Sequence, residues 1–403
     1  MTSKKSGIYI HIPYCVSKCN YCGFLSRPIT DGMGSEEIDT YVEYLIKELK
    51  IRSLSSKDSI FDTIYFGGGT PSLLSPFQID RIMMCIYSNY YIDKNPEITL
   101  EANPETLDYV KLKDYHSLNI NRLSMGIQSF DDDILKVLGR IHSSKRAVKE
   151  FNHARKAGFD NISIDLMFSI PNTSVDDVIS DIENAIKIAP EHISFYSLQL
   201  EEGTKFFNEF ESGKLKEVPD EIDRIMYHRG CDTLNSSGYN QYEISNFSKD
   251  EEENGISYRS RHNSKYWNMS SYMGFGLGAS SYFFSPDFVS AKHSGNIRTR
   301  NHSSYRQYRH ALEIGVEPFE DEILNTFNDD QSEAIFTGLR RSEGITYEEI
   351  GIHSREEFEK FYRESFNELS GFVHSGHVKM DSSSIRLTKE GIDISNKIMA
   401  LFV

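Results

Sequence analysis

The chain has no second C-x2-C or H-x3-H couple, no surplus of basic residues and no long apolar run, and each absence narrows what it does. Only five cysteines occur in 403 residues, three of them within eight positions. That excludes a disulfide scaffold and points to a reducing compartment. Lys and Arg number 44 against 60 Asp and Glu, a net charge of −16. A long nucleic-acid surface needs clustered cations, so no nucleic-acid partner is expected. No segment approaches the ~18 apolar residues that cross a bilayer. The basic start Met1-Thr-Ser-Lys-Lys-Ser6 leads into a short apolar stretch broken by His11 and Pro13, which does not read as a secretion signal. The expected location is the cytoplasm. Internal repeats and low-complexity tracts are also missing. Hydrophobic content of 38% with 12% aromatics still supports a sizeable core, and at about 150 residues per domain the length suggests two or three domains.

What is present is concentrated near the start. His11-Ile-Pro-Tyr-Cys15-Val-Ser-Lys-Cys19-Asn-Tyr-Cys22-Gly-Phe24 spaces its thiols as C-x3-C-x2-C. Three thiolates stand where a tetrahedral metal or a cubane iron–sulfur cluster needs four ligands. One metal position is then open for an exchangeable ligand, unless a group such as His11 completes a structural zinc site. Cys85 and Cys231 fall in apolar, helix-like runs and read as packed thiols.

The first two hundred residues alternate strand-like segments (7–12, 61–66, 97–101, 120–127, 161–168 and 192–198) with helix-like ones (38–51, 78–88, 105–116, 145–157 and 175–188). This is the α/β pattern of a parallel sheet, with six strands where a closed barrel has eight. Working residues are expected at the C-terminal strand ends. After Gly203 a helix over 220–236 leads to an aromatic strand at 238–247 and an acidic loop at 249–254. In Tyr272-Met-Gly-Phe-Gly-Leu-Gly-Ala-Ser-Ser-Tyr282 three glycines suggest close approach to a ligand or a neighbouring element. From about residue 325, helices at 331–340 and 356–369, a strand pair within 372–387 and a last helix follow the order of a winged-helix module. Without a basic stripe it reads as a packing or lid element. Arg259-Ser-Arg-His262 and Arg298-Thr-Arg300 suit a small anionic ligand such as a propionate-bearing porphyrin, or a solvated loop.

Polar residues mark the strand ends. Gly67-Gly-Gly-Thr-Pro-Ser72 follows the second strand, and its glycines let backbone amides converge on an anion or simply form a turn. Glu101, Gln128 and Asp165 each interrupt an apolar strand, where an ionisable group is costly unless paired or bound. Arg140 offers either a ligand contact or an internal salt-bridge network with Glu101 or Asp165. His262-Asn-Ser-Lys-Tyr-Trp267 holds the only tryptophan.

C-x3-C-x-aromatic-C after Tyr9-Ile-His11-Ile-Pro13 resembles the signature of the radical S-adenosylmethionine (SAM) proteins. The words GGGTP, GIQSF, LGRIH and IDLM extend the likeness over most of the chain. The resemblance implies an open (βα)6 partial barrel over 1–203, an extension over 204–324 and a winged-helix-like domain over 325–403. It implies that Cys15, Cys19 and Cys22 hold a [4Fe–4S] cluster whose fourth iron takes the methionine part of SAM. It assigns SAM contacts to Tyr9, Gly68, Gly69, Thr70, Glu101, Gln128, Arg140 and Asp165, with His11 and His142 supporting the cluster pocket. More narrowly, the lead-in is similar to the branch that contains oxygen-independent coproporphyrinogen III dehydrogenase (HemN) and the HemW-type haem chaperones. The dehydrogenase has a further motif cysteine where Phe24 stands, and a long N-terminal extension where fourteen residues precede Cys15. HNxxYW fits the chaperone side. It implies a haem ligand at His262, with Tyr266 and Trp267 on a porphyrin face. The expectation is a chaperone that passes haem to an acceptor protein. Its rivals are an oxidoreductase converting coproporphyrinogen III to protoporphyrinogen IX, fed electrons by flavodoxin or ferredoxin, and a radical SAM enzyme acting on haem.

Overall fold

The computed structural model describes residues 5–29, 34–57, 59–251 and 255–402. The basic residues 1–4 and residues 252–254 of the acidic loop lie outside them. Six parallel strands carry the first half: β1 (Ser6–Ile12), β2 (Ile60–Gly68), β3 (Tyr91–Ala102), β4 (Arg122–Gln128), β5 (Ile162–Phe168) and β6 (His192–Ser197). Between them run α1 (Gly34–Arg52), α2 (Pro76–Asn89), α3 (Tyr109–Ser117), α4 (Asp132–Leu138), α5 (Ser144–Ala157) and α6 (Val175–Ile188). The strands alternate strictly. Ile8, Ile10 and Ile12 of β1, Leu123, Met125 and Ile127 of β4, and Ile162, Ile164 and Leu166 of β5 are buried in the main core. The residues between them point the other way, because successive side chains in a strand face opposite sides. One face of the sheet therefore carries the helices, while the other encloses a polar interior. Local signals agree: Ser75 and Ser174 form capping boxes with Gln78 and Asp177 at the starts of α2 and α6, which fixes where each helix begins. The expected helix over 105–116 is instead a short 3-10 turn, Pro104–Thr106, followed by α3, whose N-cap is Asp108.

The open six-stranded arrangement is embedded in a larger sheet. Residues after Gly203 add α7 (Lys205–Glu211), α8 (Asp220–Ser236), β7 (Asn240–Glu243), β8 (Asn246–Ser248), α9 (Arg261–Trp267), β9 (Tyr272–Phe275), β10 (Ser280–Phe284), β11 (His293–Asn301), α10 (Tyr305–Glu313) and β12 (Phe319–Thr326). The twelve strands run β12-β11-β10-β9-β1-β2-β3-β4-β5-β6-β8-β7. β9 joins β1 in parallel and β8 closes antiparallel on β6. Residues 204–324 thus extend both edges of one sheet and share its core through Met226, Phe247, Phe275 and Tyr308. The glycines of 272–282 serve a neighbouring element: a Cβ on Gly276, at φ +101°, would stand 2.7 Å from the His11 carbonyl oxygen. A fully buried pair, Glu48 and Arg52 at 3.0 Å, ties α1 to this region. Glu48 accepts from the Gly276 amide, Asn301 Nδ2 and the Tyr308 hydroxyl at 2.7–2.8 Å.

The last module comprises α11 (Phe327–Gly338), β13 (Ile345–Thr346), α12 (Arg355–Phe361), α13 (Arg363–His374), β14 (Val378–Met380), β15 (Ser384–Leu387), α14 (Lys389–Ile392) and α15 (Ser395–Met399). It has its own core of Ile335, Phe358, Leu369, Ile385 and Ile398. The helix expected over 356–369 breaks at Tyr362, and α13 continues through His374, so the strand pair starts only at Val378. The module docks through Arg340, whose guanidinium lies 4.5 Å over the Trp267 ring and 3.3 Å from Glu243.

Candidate functional site

A cavity of about 550 Å³ occupies the polar interior and opens at the C-terminal strand ends. Cys15, Cys19 and Cys22 stand at its mouth with Phe24, while Gly68, Gly69, Thr70, Glu101, Gln128, Arg140 and Asp165 line it. Residues from six separate segments of the sequence are brought together there. Cys15 lies in a short parallel pairing of Tyr14–Cys15 with Arg27–Pro28, which anchors both ends of the cysteine loop. Cys15 is buried, whereas Cys19 and Cys22 are half-buried.

A chain of hydrogen bonds links two of the thiols. The Thr70 hydroxyl donates to Cys15 Sγ at 3.5 Å and accepts from Asn103 Nδ2 at 3.0 Å. Asn103 Oδ1 accepts from Arg140 Nη2 at 2.7 Å, and Arg140 Nη1 donates to Cys19 Sγ at 3.4 Å. Arg140 makes no ion pair with Glu101 or Asp165 among the described residues; it serves the sulfurs, and the salt-bridge alternative does not hold. Asn103 is a site residue that the sequence reading missed, although it stands two places after Glu101 in the same strand-end word.

The glycine turn differs from an anion cradle. The Gly68 amide donates to Glu101 Oε2 at 3.2 Å and the Gly69 amide to the Ile12 carbonyl at 2.8 Å, so neither is left for an anion. Gly68 adopts φ +112°, and a Cβ there would strike the His11 ring. Glu101 also accepts from the Tyr65 hydroxyl at 2.8 Å. Burial pushes its carboxyl up to about 7, and that of Asp165 to about 6. Gln128 holds a left-handed φ of 70° and accepts from the Tyr196 hydroxyl at 2.8 Å; a non-glycine residue keeps such a conformation only where its surroundings impose it.

Two histidines near the mouth are committed. His11 Nε2 donates to the Leu25 carbonyl at 2.8 Å and its Nδ1 accepts from the Tyr9 hydroxyl at 3.1 Å, so it is not free to complete a zinc site. His142 bonds the Ile127 carbonyl at 3.2 Å and lies 3.3 Å from Glu105. Tyr9 stands behind Tyr65, with ring centroids 6.2 Å apart, and is not among the residues that line the cavity.

The largest correction concerns His262. α9 plugs the closed end of the barrel, held by Glu97, which accepts the Arg261 and His262 amides at 3.0 Å each. The His262 ring is fully buried. Its Nδ1 lies 2.8 Å from the Thr63 hydroxyl and its Nε2 3.0 Å from the Tyr266 hydroxyl. Burial lowers its pKa to about 3. With both nitrogens engaged inside the protein, it presents none to haem iron. Trp267 packs under Arg340 rather than on an open face. The basic words are likewise spent within the chain: Arg298 pairs with Glu333, Arg300 with Asp321, and Arg261 Nη2 with two carbonyls.

The donor set fits the two groups that the resemblance implies. Three soft thiols with N–H and O–H donors on their sulfurs suit an anionic iron–sulfur cluster. Two carboxyls held up by burial, with no cation in contact, suit the ammonium and sulfonium charges of SAM.

Residues 9–185 match the radical SAM superfamily. Over its whole length the chain is 32% identical to haem chaperone HemW of Lactococcus lactis, covering 98% of that protein, and 98% of it is 32% identical to haem chaperone HemW of Bacillus subtilis, again over 98%. It is also 33% identical, over 98% of its length and 86% of the relative, to the mitochondrial radical S-adenosyl methionine domain-containing protein 1 of Danio rerio. Among solved structures, coproporphyrinogen III oxidase (HemN) of Escherichia coli superposes with a TM-score of 0.82 over 99% of this chain and 90% of that one, at 21% identity.

Proposed function

Because the chain belongs to the radical SAM superfamily, in its HemN/HemW branch, we propose that it is a cytoplasmic haem chaperone of the HemW type that carries a SAM-ligated [4Fe–4S] cluster and hands haem to an acceptor protein. The observation that carries this reading is the 32% identity to a haem chaperone along the full chain. Phe24 supports it: 68% exposed at the mouth, it occupies the place of the dehydrogenase's additional cysteine. Among the described residues no helix is long and apolar enough to cross a membrane.

In this reading Cys15, Cys19 and Cys22 would hold three irons of the cluster and leave the fourth to SAM. When bound, the pair supplies one-electron chemistry to whatever lies below it. The chain's own residues orient and balance charge. Glu101, fixed by Tyr65 and the Gly68 amide, would hold the ammonium of SAM, and Asp165 and Gln128 would hold its other polar groups. Arg140 and Thr70 donate to the thiolates, which stabilises negative charge there.

The buried carboxyls of Glu101 and Asp165 on the cavity wall support a second reading, since holding haem alone does not call for them. There SAM is cleaved with electrons from flavodoxin or ferredoxin, and a porphyrinogen or haem is the substrate. One anaerobically reconstituted preparation tests both. Haemin titration should give a Soret band saturating near one haem per chain, and the haem should pass to an apo-acceptor, while coproporphyrinogen III with SAM and reductant stays unchanged. Sustained decarboxylation without haem transfer would replace the first reading by the second.

A further inference from the structure

The closed end of the barrel holds a charge that nothing in the chain neutralises by contact. Arg122 opens β4 and is 1% exposed. Among the described residues its Nε and Nη1 have no hydrogen-bond partner and it makes no ion pair, yet it lines the cavity. Its register partner on β3 is Thr99, whose buried hydroxyl is also unpartnered. Asn246 of β8 lines the same end; it spends its Nδ2 on Glu243 and leaves Oδ1 unpartnered. Asn263 of α9 completes the lining.

The titratable groups Glu97, His262 and His192 beside it, by contrast, are engaged. Glu97 caps α9, His262 bonds Thr63 and Tyr266, and His192 bonds Ser163 and the Tyr242 hydroxyl at 2.7 and 2.8 Å. A buried, unpaired guanidinium costs several kcal/mol. It persists where a partner arrives from outside.

We propose that this closed end is a binding site for a monocarboxylate, gripped by Arg122, and that it is filled at the same time as the SAM site at the mouth. The inference does not depend on the haem reading. A guanidinium fork matches a planar carboxylate. A single cation, with Glu101 and Asp165 above it in the same cavity, balances one negative charge and disfavours a dianion such as phosphate. The bare acceptor Asn246 Oδ1 keeps a second anionic group away. The two sites are distinct in position. Along the backbone of β4 Arg122 stands six residue steps from Gln128 at the rim, on the order of 20 Å at ~3.3 Å per residue, although Glu101 and Asp165 still feel its charge.

The test is calorimetric titration of the full chain, reconstituted with its cluster and saturated with SAM, using propionate as probe. Propionate should bind saturably. Arg122→Met should weaken it at least about tenfold, as loss of a charge-assisted pair does, and Arg122→Lys, which keeps the charge but not the fork, should weaken it less. Should Arg122→Met not fold, Asn263→Asp leaves the arginine intact and places a negative charge at the same end, and it should weaken propionate comparably. Absence of saturable binding, indifference to all three substitutions, competition between propionate and SAM, or tighter binding of phosphate would each overturn the proposal.

Discussion

Arg140 donates from Nη1 to the sulfur of Cys19 at 3.4 Å, across 121 residues of sequence. Through Asn103 and Thr70 the same arginine is connected to Cys15, so two cysteines of the motif share one polar support that lies outside it.

That support should tune the cluster without building it. Arg140→Gln and Asn103→Ala should retain about four iron and four sulfide per chain, while the reduction potential falls, because donors to sulfur stabilise the more negative reduced state. Cys15→Ala, Cys19→Ala and Cys22→Ala should each abolish the cluster; Cys85→Ala and Cys231→Ala should not. Iron analysis with potentiometry decides it, and an unchanged potential in Arg140→Gln would show the contact to be idle.

SAM affinity should depend on pH with a defined sign. The carboxyls of Glu101 and Asp165 sit at about 7 and about 6 because of burial, and only their ionised forms attract a cation. Binding should weaken as pH falls from above 7 to below 6. Glu101→Gln should remove the upper part of that dependence and Asp165→Asn the lower, with iron content constant. A flat pH profile in the unsubstituted protein would contradict this assignment.

Substituting His262 should act on stability, not on haem ligation. His262→Gln leaves Thr63 or Tyr266 with a buried, unmet hydrogen bond, a loss of about 1–3 kcal/mol. The Soret band of a haemin titration should match that of the control His374→Ala. A weakened or shifted band at unchanged stability would restore His262 as the axial ligand.

Glu48→Ala should be among the most damaging single changes outside the site. It removes the carboxylate paired with fully buried Arg52 and the acceptor of the Gly276, Asn301 and Tyr308 donors; breaking such a pair costs about 3–5 kcal/mol. Urea unfolding measures it, and a loss below about 1 kcal/mol would mean that water replaces the carboxylate.

By itself the sequence determined the alternation of strands and helices, the three thiols and the residues at the strand ends, because these are encoded locally: strand alternation has period two, α6 and α8 occupy the expected residues, and the cysteines lie within one loop. The inward faces below the strand ends were also legible. Counting back by twos from Gln128 gives Gly126, Ser124 and Arg122, and from Glu101 gives Thr99 and Glu97. What only the tertiary structure decided is who meets whom. The HNxxYW word reads as a ligand motif in one dimension, yet the chain folds α9 back beneath β2 and buries His262 between Thr63 and Tyr266. The arginine words read as a binding patch until their carboxylate partners arrive from other strands and helices. Hydrogen bonds and ion pairs between residues a hundred or more positions apart leave no local pattern, and for a buried polar group they decide whether it is a strut or a site.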